Sequence, residues 1–290
     1  MTDDLRPRRS VLYMPAANER ALEKAKAIPA DALIFDLEDA VAPDAKEQAR
    51  ANAVAAVESG EYGYRELTIR CNGLDTPWGA DDIAAAAAAG PSAIVIPKVS
   101  GAPALADVAR RLEAAGAPES VGIWAMVETP EAMLNVVDIA THPRVSGMVM
   151  GTNDLARELR AELLPGRHPL LSHLADALLA GRFAGKVVLD GVYNDVKNAE
   201  GFAAEAQQGF EMGFDGKTLI HPGQVEPTND IWAPSADDID HARRVIAAFE
   251  EAEAEGKGVV TVDGRMIENL HVDNARRTLA VADAIAAQGQ

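Results

Sequence analysis

Residues 32–72 read ALIFDLEDAVAPDAKEQARANAVAAVESGEYGYRELTIRCN, and their pattern decides the fold. An apolar run over 32–39 ends in acids, a helical stretch follows at 46–57, and a second apolar run covers 66–72. Short apolar runs closed by polar residues are buried strands, whereas the Ala-, Glu- and Arg-rich stretch between them has helical periodicity. Strand, helix, strand at this spacing is the unit of a parallel sheet, because parallel neighbours need a crossover connection.

The same unit recurs on both sides of this stretch. Further apolar runs lie at 10–15, 93–99, 121–129, 145–154, 186–195 and 214–222. Helical stretches at 19–28, 81–89, 104–114, 131–140 and 200–212 separate most of them. Eight such strands close a barrel, and 290 residues exceed the roughly 250 that an eight-stranded β/α barrel takes. An open, doubly wound sheet is the rival, but no GxGxxG turn follows the first strand. The expected architecture is α/β: a (β/α)8 TIM barrel over 1–226 with a helical C-terminal extension over 227–290. Within the extension, Ser235 is the expected N-cap of a helix running to about 255. A short strand and turn at 259–264 and a last helix from about 272 complete it.

Composition narrows the function. Apolar residues make up 48% and aromatics 4%, so the core is aliphatic. A net charge of −18 repels phosphate backbones and argues against a nucleic-acid partner. The single cysteine, Cys71, forbids an internal disulfide and suits a reducing compartment. The N-terminal MTDDLRPRRS lacks the apolar segment of a signal peptide, and apolar stretches of about ten residues do not span a bilayer. A cytoplasmic protein without a membrane partner is expected.

Catalytic groups in such barrels come from the C-terminal ends of the strands. Those positions hold Asp36, Glu38 and Asp39, then Arg70 and Asn72, then Lys98, then Glu128, then Asn153 and Asp154. The last two strands add Asp190, Tyr193, Asn194 and Asp195, then Lys217 and His221. Acids gathered around one mouth repel one another unless a cation neutralises them. One cysteine and six scattered histidines argue against zinc. Oxygen donors suit Mg²⁺, with Glu128 and Asp154 the best pair of ligands, although each taken alone is more often a solvated acid. Arg70, in an otherwise apolar strand, is either a clamp for a carboxylate and oxyanion or the ion-pair partner of a nearby acid. His221 is a base or, more commonly for such a residue, a hydrogen-bonded structural histidine. Strand alternation turns Cys71 away from Arg70 and into packing.

Several short segments occur together and in order: RSVLYMP (9–15), FDLEDAVAP (35–43), IRCNGLDTP (69–77), PKV (97–99) and VET (127–129). GTNDL (151–155), DGVY (190–193), GFDGK (213–217) and IHP (220–222) follow. Over essentially its whole length the chain resembles the citrate lyase β-subunit-like and malyl-CoA lyase family, which includes citramalyl-CoA lyases and malyl-CoA thioesterases. The resemblance implies a barrel assembled as a homotrimer or hexamer. It implies Mg²⁺, with Mn²⁺ as a substitute, on Glu128 and Asp154, and Arg70 contacting a small 2-oxo acid. Tyr13 and Lys24 would bind the CoA thioester, and Asn153, Ile220 and His221 would line the pocket. Where relatives often carry a CoA-binding arginine the chain has Asn18, with Arg20 two residues away. Glu38, Asp39 and Lys98 are secondary candidates.

One departure bears on the reaction. In the lyases a C-terminal aspartate reaches into a neighbouring subunit's site; here the segment reads MIENLH (266–271) and the acid is Glu268. The extra methylene displaces the carboxylate by about one bond, and roughly 1 Å of misplacement costs on the order of a hundredfold in rate. The Glu-x-Leu-His pattern is similar to a branch containing malyl-CoA thioesterases. The first expectation is Mg²⁺-dependent cleavage of a malyl-CoA or citramalyl-CoA type substrate to acetyl-CoA and a 2-oxo acid, with Arg70 and Glu268 catalytic. The alternatives are a (3S)-malyl-CoA thioesterase on the same site and a citrate lyase β subunit acting within a complex.

Overall fold

In the computed structural model, described over residues 5–288, the eight expected strands form one closed parallel barrel in sequence order. The first four residues of the stretch read for a signal peptide, and the last two of the expected extension, lie outside the described residues. The strands are β1 (Ser10–Pro15), β2 (Ala32–Asp36), β3 (Glu66–Arg70) and β4 (Ala93–Ile96). They continue with β5 (Gly122–Val127), β6 (Val145–Met150), β7 (Val187–Asp190) and β8 (Gly216–Leu219). Between them run α1 (Glu19–Ala25), α2 (Lys46–Glu58), α3 (Gly79–Ala89), α4 (Ala102–Ala114) and α5 (Pro130–Leu134). The set is completed by α6 (Val136–Thr141), α7 (Thr152–Leu159), α8 (Leu171–Ala184), α9 (Ala199–Met212) and α10 (Val225–Trp232).

Two differences from the sequence expectation have local causes. The run over 32–39 stops being strand at Asp36, whose carboxylate accepts the N–H groups of Glu38 (2.9 Å) and Ala40 (3.2 Å) and so turns the chain. The single helix expected over 131–140 is two helices parted at Asn135. The Asn135 side chain donates to the Ser100 carbonyl at 2.9 Å, a bond that competes with a continuous helix.

Strand alternation sorts the barrel residues into two layers. Val11, Ala32, Ile34, Ala93, Val95, Trp124, Met126, Val149 and Leu189 pack together inside, with Tyr13 and Val187 against them. Trp124, 1% exposed, fits because Gly147 is its register partner on β6. A Cβ at Gly147 would lie 3.1 Å from Trp124 Cδ1, so a larger residue there would push the indole aside. The same parity, carried one step further along the chain, brings Asp36, Arg70, Glu128 and Gly151 to the mouth.

The opposite parity corrects one expectation. Asp190 and Lys217, read as mouth residues, are register partners on β7 and β8 and belong to the layer between sheet and helices. Asp190 accepts from Arg167 Nη1 at 2.6 Å and from Lys217 Nζ at 2.9 Å. Lys217 Nζ also donates to Glu205 of α9 at 2.9 Å and to the Gly191 carbonyl at 2.6 Å. Leu189 takes the inner face, so Asp190 must take the outer one.

Arg8–Ile231 forms one compact unit, and a second runs from Trp232 to the C-terminus with the described residues before Arg8. The second unit holds α11 (Ala236–Ala254), β9 (Val260–Val262), β10 (Arg265–Ile267) and α12 (Asn269–Gln288). Ser235 caps α11 as expected and forms a reciprocal capping box with Asp238. The two short strands pair as an antiparallel hairpin across Asp263 (φ 50°) and Gly264 (φ 77°), the pair of positive φ angles that a two-residue type I′ turn requires. The last helix begins at Asn269 rather than near Val272, because the Glu268 carbonyl already accepts the N–H groups of His271 and Val272. Val245, Phe249, Val262, Ile267 and Val272 make this unit's own core. Among the described residues no helix is long and apolar enough to cross a membrane.

Candidate active site

The register of β2 on β3 sets Asp36 opposite Arg70 at the end of both strands. Arg70 Nε and Nη2 each donate to an Asp36 carboxylate oxygen at 2.7 Å, a bidentate pair that fixes the guanidinium plane. Nη1 lies 2.9 Å from Glu38 Oε2, and the guanidinium carbon sits 4.8 Å from the centre of the Tyr13 ring. The ion-pair reading of Arg70 is therefore realised. The side-on edge that would clamp a substrate carboxylate is occupied by Asp36. What Arg70 brings to the mouth is a held positive charge and its Nη1 end.

Glu128 follows β5 and is 2% exposed. Its Oε1 accepts the backbone N–H of Lys98 at 2.7 Å. Lys98 adopts φ 47°, a left-handed conformation uncommon for a lysine. Burial pushes the Glu128 carboxyl up to about 7; the Lys98 N–H opposes the rise, and the charges of Asp154 and Glu38 add to it. Burial likewise raises Glu38, with Arg70 opposing. Burial pulls the Lys98 ammonium down, but the charges of Glu38, Glu128 and Asp154 outweigh it and hold Lys98 above its ordinary value. The Lys98 ammonium is 3.5 Å from Glu38 Oε1.

Space for Glu128 depends on Gly151. A Cβ at that position would stand 2.3 Å from both Cβ and Oε2 of Glu128, closer than any real contact. Gly151→Ala is expected to displace the Glu128 carboxylate and to destabilise the fold by about 1–3 kcal/mol, as overpacking does. Urea unfolding of the variant checks this, and an unchanged midpoint would show that Glu128 has room to move.

Asp154 lies in the first turn of α7, with Arg157 Nη2 2.6 Å from its Oδ1. The negative charge of Asp154 adds to the upward push that burial gives the Glu128 carboxyl. Among the described residues no three His, Cys, Asp or Glu side chains converge as a ready-made metal cage. Two carboxylates, one buried and elevated in pKa, fit a hard divalent cation that takes one or two protein carboxylates and fills its shell with water and substrate oxygens. A cation beside Glu128 would offset the burial and the charges of Asp154 and Glu38 that together favour its protonated form.

The other expected residues spread around this centre. Asn153 exchanges two amide hydrogen bonds with Asn194, at 3.0 and 2.7 Å, tying the loops after β6 and β7. Tyr13 lies beneath Arg70. Arg20 and Lys24 are exposed on α1, four residues apart and hence on one face. Asn18, the departure from the family pattern, caps that helix by accepting the Ala21 N–H at 3.1 Å. Asp39 is exposed, 3.9 Å from Arg70. His221 is exposed and its Nδ1 accepts the Gly223 N–H at 3.1 Å, capping the short turn that follows; the Ile220 N–H donates to Gln224 at 3.2 Å. Glu268 belongs to the C-terminal unit, exposed, its N–H donating to His271 Nδ1 at 3.2 Å. Sequence reading overlooked Asp36 as the anchor of Arg70, and it overlooked Lys46. Strand parity could have found Asp36; nothing local marks Lys46.

The HpcH/HpaI aldolase/citrate lyase family matches residues 9–222, which contain every strand of the barrel and the centre just described. The chain belongs to that family. Within it, the chain is 52% identical over 289 residues to a (3S)-malyl-CoA thioesterase of Cereibacter sphaeroides, covering 100% of this chain and 99% of the relative. It is 38% identical to citrate lyase subunit beta of Escherichia coli, over 96% of this chain and 94% of that protein. The barrel also superposes on CitE from Mycobacterium tuberculosis in complex with magnesium, acetoacetate and coenzyme A. That match has a TM-score of 0.78 and 27% identity, and covers 96% of this chain and 100% of the other. The protein is thus an enzyme of a family of lyases and CoA thioesterases with a CitE-like (β/α)8 fold.

Proposed function

We propose that this protein hydrolyses (3S)-malyl-CoA to malate and free CoA with the help of Mg²⁺. The observation that carries the reading is the end-to-end 52% identity to a (3S)-malyl-CoA thioesterase. It reverses the order of the sequence expectation, in which the lyase stood first. Glu268 in place of the lyase aspartate agrees with the change of reaction.

Glu128 and Asp154 are the residues that would hold Mg²⁺; when bound, the ion supplies Lewis-acid polarisation of a substrate oxygen. Magnesium in the CitE complexes, alongside acetoacetate and CoA or pyruvate, supports the choice of metal. Arg70, fixed by Asp36, supplies the positive charge that meets the oxyanion developing on the thioester carbonyl. Water attacks that carbonyl carbon, the C–S bond breaks, and CoA departs as a thiolate that takes up a proton. We assign the acid–base role to Glu268 of a neighbouring subunit, carried by the extension over 227–290; its exposure and its place between a hairpin and a helix support this. Tyr13, Lys24 and Arg20 are assigned to CoA, and Asn153, Ile220 and Lys98 to the acyl end.

A second reading, carbon–carbon cleavage to acetyl-CoA and glyoxylate, is favoured by the family match and the citrate lyase relatives. Two assays on one reaction separate the readings. Purified protein with Mg²⁺ and (3S)-malyl-CoA is expected to release free thiol, measured with a disulfide reagent, and no glyoxylate trappable as a hydrazone. Glyoxylate without thiol would establish the lyase. The thiol assay has no background from the folded enzyme, because its one cysteine, Cys71, is fully buried and burial pushes its pKa up.

A further inference from the structure

Lys46 is the first residue of α2 and only 5% exposed. Its ammonium donates to the Leu37 carbonyl, the Glu38 carbonyl and Asn72 Oδ1, each at 2.7 Å, and stands 5.2 Å from the centre of the Trp78 ring. All three acceptors are neutral. Among the described residues no carboxylate forms a direct ion pair with it. Burial lowers its pKa, and the more distant charges of Asp36, Glu38 and Asp82 only partly restore it. The amino end of a helix is also where the macrodipole disfavours a cation. A buried ammonium without a counter-ion at a helix N-terminus works against stability on both counts, so its contribution must lie in what it holds.

What it holds is the loop carrying Glu38. The far end of the staple is rigid: Asn72 donates through its N–H (2.9 Å) and side-chain amide (2.6 Å) to Asp82 of α3, and Arg50 of α2 donates to Asp82 at 2.6 Å. The near end is the backbone of Leu37 and Glu38: the Leu37 carbonyl is shared with the Asn72 side-chain amide, which donates to it at 2.9 Å, whereas the side-chain donor to the Glu38 carbonyl is Lys46 at 2.7 Å. The Glu38 side chain then meets Arg70 Nη1 and the Lys98 ammonium. Asp36 needs no such support, since it is anchored by Arg70 and by its own turn.

We propose that Lys46 is a positioning residue of the active site, clamping the Leu37–Glu38 backbone to Asn72 so that Glu38 stays on Arg70 and Lys98. Its catalytic consequence rests on the hydrolase reading above; its structural consequence does not. The test compares Lys46→Met, which removes the donors, with Lys46→Gln, which retains two, in the full-length protein. Lys46→Met is expected to lower kcat for (3S)-malyl-CoA about 10- to 100-fold, the range for losing a support of a site group. KM should change less than about threefold, because the held charge acts in the transition state. Lys46→Gln should fall between Lys46→Met and wild type. A crystal structure of either variant is expected to show Glu38 withdrawn from Arg70 while the Asp36–Arg70 pair persists. Glu38 still seated on Arg70, or a lower unfolding midpoint with unchanged kcat per folded molecule, would overturn the proposal. Absence of turnover in wild type would overturn the hydrolase reading, and the crystal structure would still decide the role of Lys46.

Discussion

Glu128→Gln is expected to lower turnover at saturating substrate by on the order of a thousandfold, corresponding to the several kcal/mol that a metal-borne charge contributes in a transition state. Glutamine matches glutamate in shape and keeps an oxygen for the Lys98 N–H, so packing survives while the charge that would hold Mg²⁺ is gone. The same substitution has the opposite effect on metal-free stability. Folded Glu128 keeps its proton up to about pH 7, whereas the unfolded chain releases it near 4.5. The folded state therefore binds more protons in that window, and stability falls as pH rises through it, by roughly 3 kcal/mol once pH exceeds 7. In EDTA, Glu128→Gln should unfold at a higher temperature than wild type at pH 8 and at a similar temperature at pH 4.5. A variant that is both active and no more stable at pH 8 would remove Glu128 from the metal site.

The largest effect on stability is expected at Asp190. It is the carboxylate between Lys217 (0% exposed) and Arg167 (2% exposed), with Glu205 contributing a second, less buried charge. Asp190→Asn leaves two buried cations sharing one acid, and breaking a buried pair from one side costs about 3–5 kcal/mol. For a unit of this size that lowers Tm by about 10 °C, readable by calorimetry. Burial would raise the Asp190 pKa, but Lys217 and Arg167 overcome it and hold the carboxyl below its ordinary value. Its contribution is therefore complete above the ordinary aspartate range and lost only as pH falls below it. The wild-type advantage over Asp190→Asn should be constant from neutral pH down to about 5 and shrink in stronger acid. A Tm within 2 °C of wild type, a limit set at about 1 kcal/mol, would show that the cluster relaxes or takes in water.

Much of this protein was legible before folding was considered. Eight apolar runs with intervening helical stretches specify a closed parallel barrel, because each strand is buried on both faces and needs a crossover helix. The rule that barrel chemistry sits at strand ends then brought out Arg70, Glu128 and Asp154. Cys71 in the core and Ser235 as a helix cap also followed, since alternation and capping act over a few residues. What misled was exact strand length. The run reads through to 39 because Leu37 continues the apolar pattern past Asp36, yet Asp36 ends the strand through its own side-chain turn. The misplacement of Asp190 and Lys217 arose the same way, from reading a strand end without its parity.

Architecture, family and the residue types at the mouth could all be read from the chain, because periodicity and short ordered segments depend on neighbours along it. What those residues do to one another emerges with the closed barrel. Asp36 and Arg70 are far apart in sequence and meet through the β2–β3 register. Lys46 reaches Asn72 on the next strand's loop, and the Glu128 carboxyl is pushed up to about 7 because the fold buries it near Asp154 and Glu38, in the space that Gly151 leaves open. A charge's pKa and partners are set by burial and distance, and both are properties of the closed barrel.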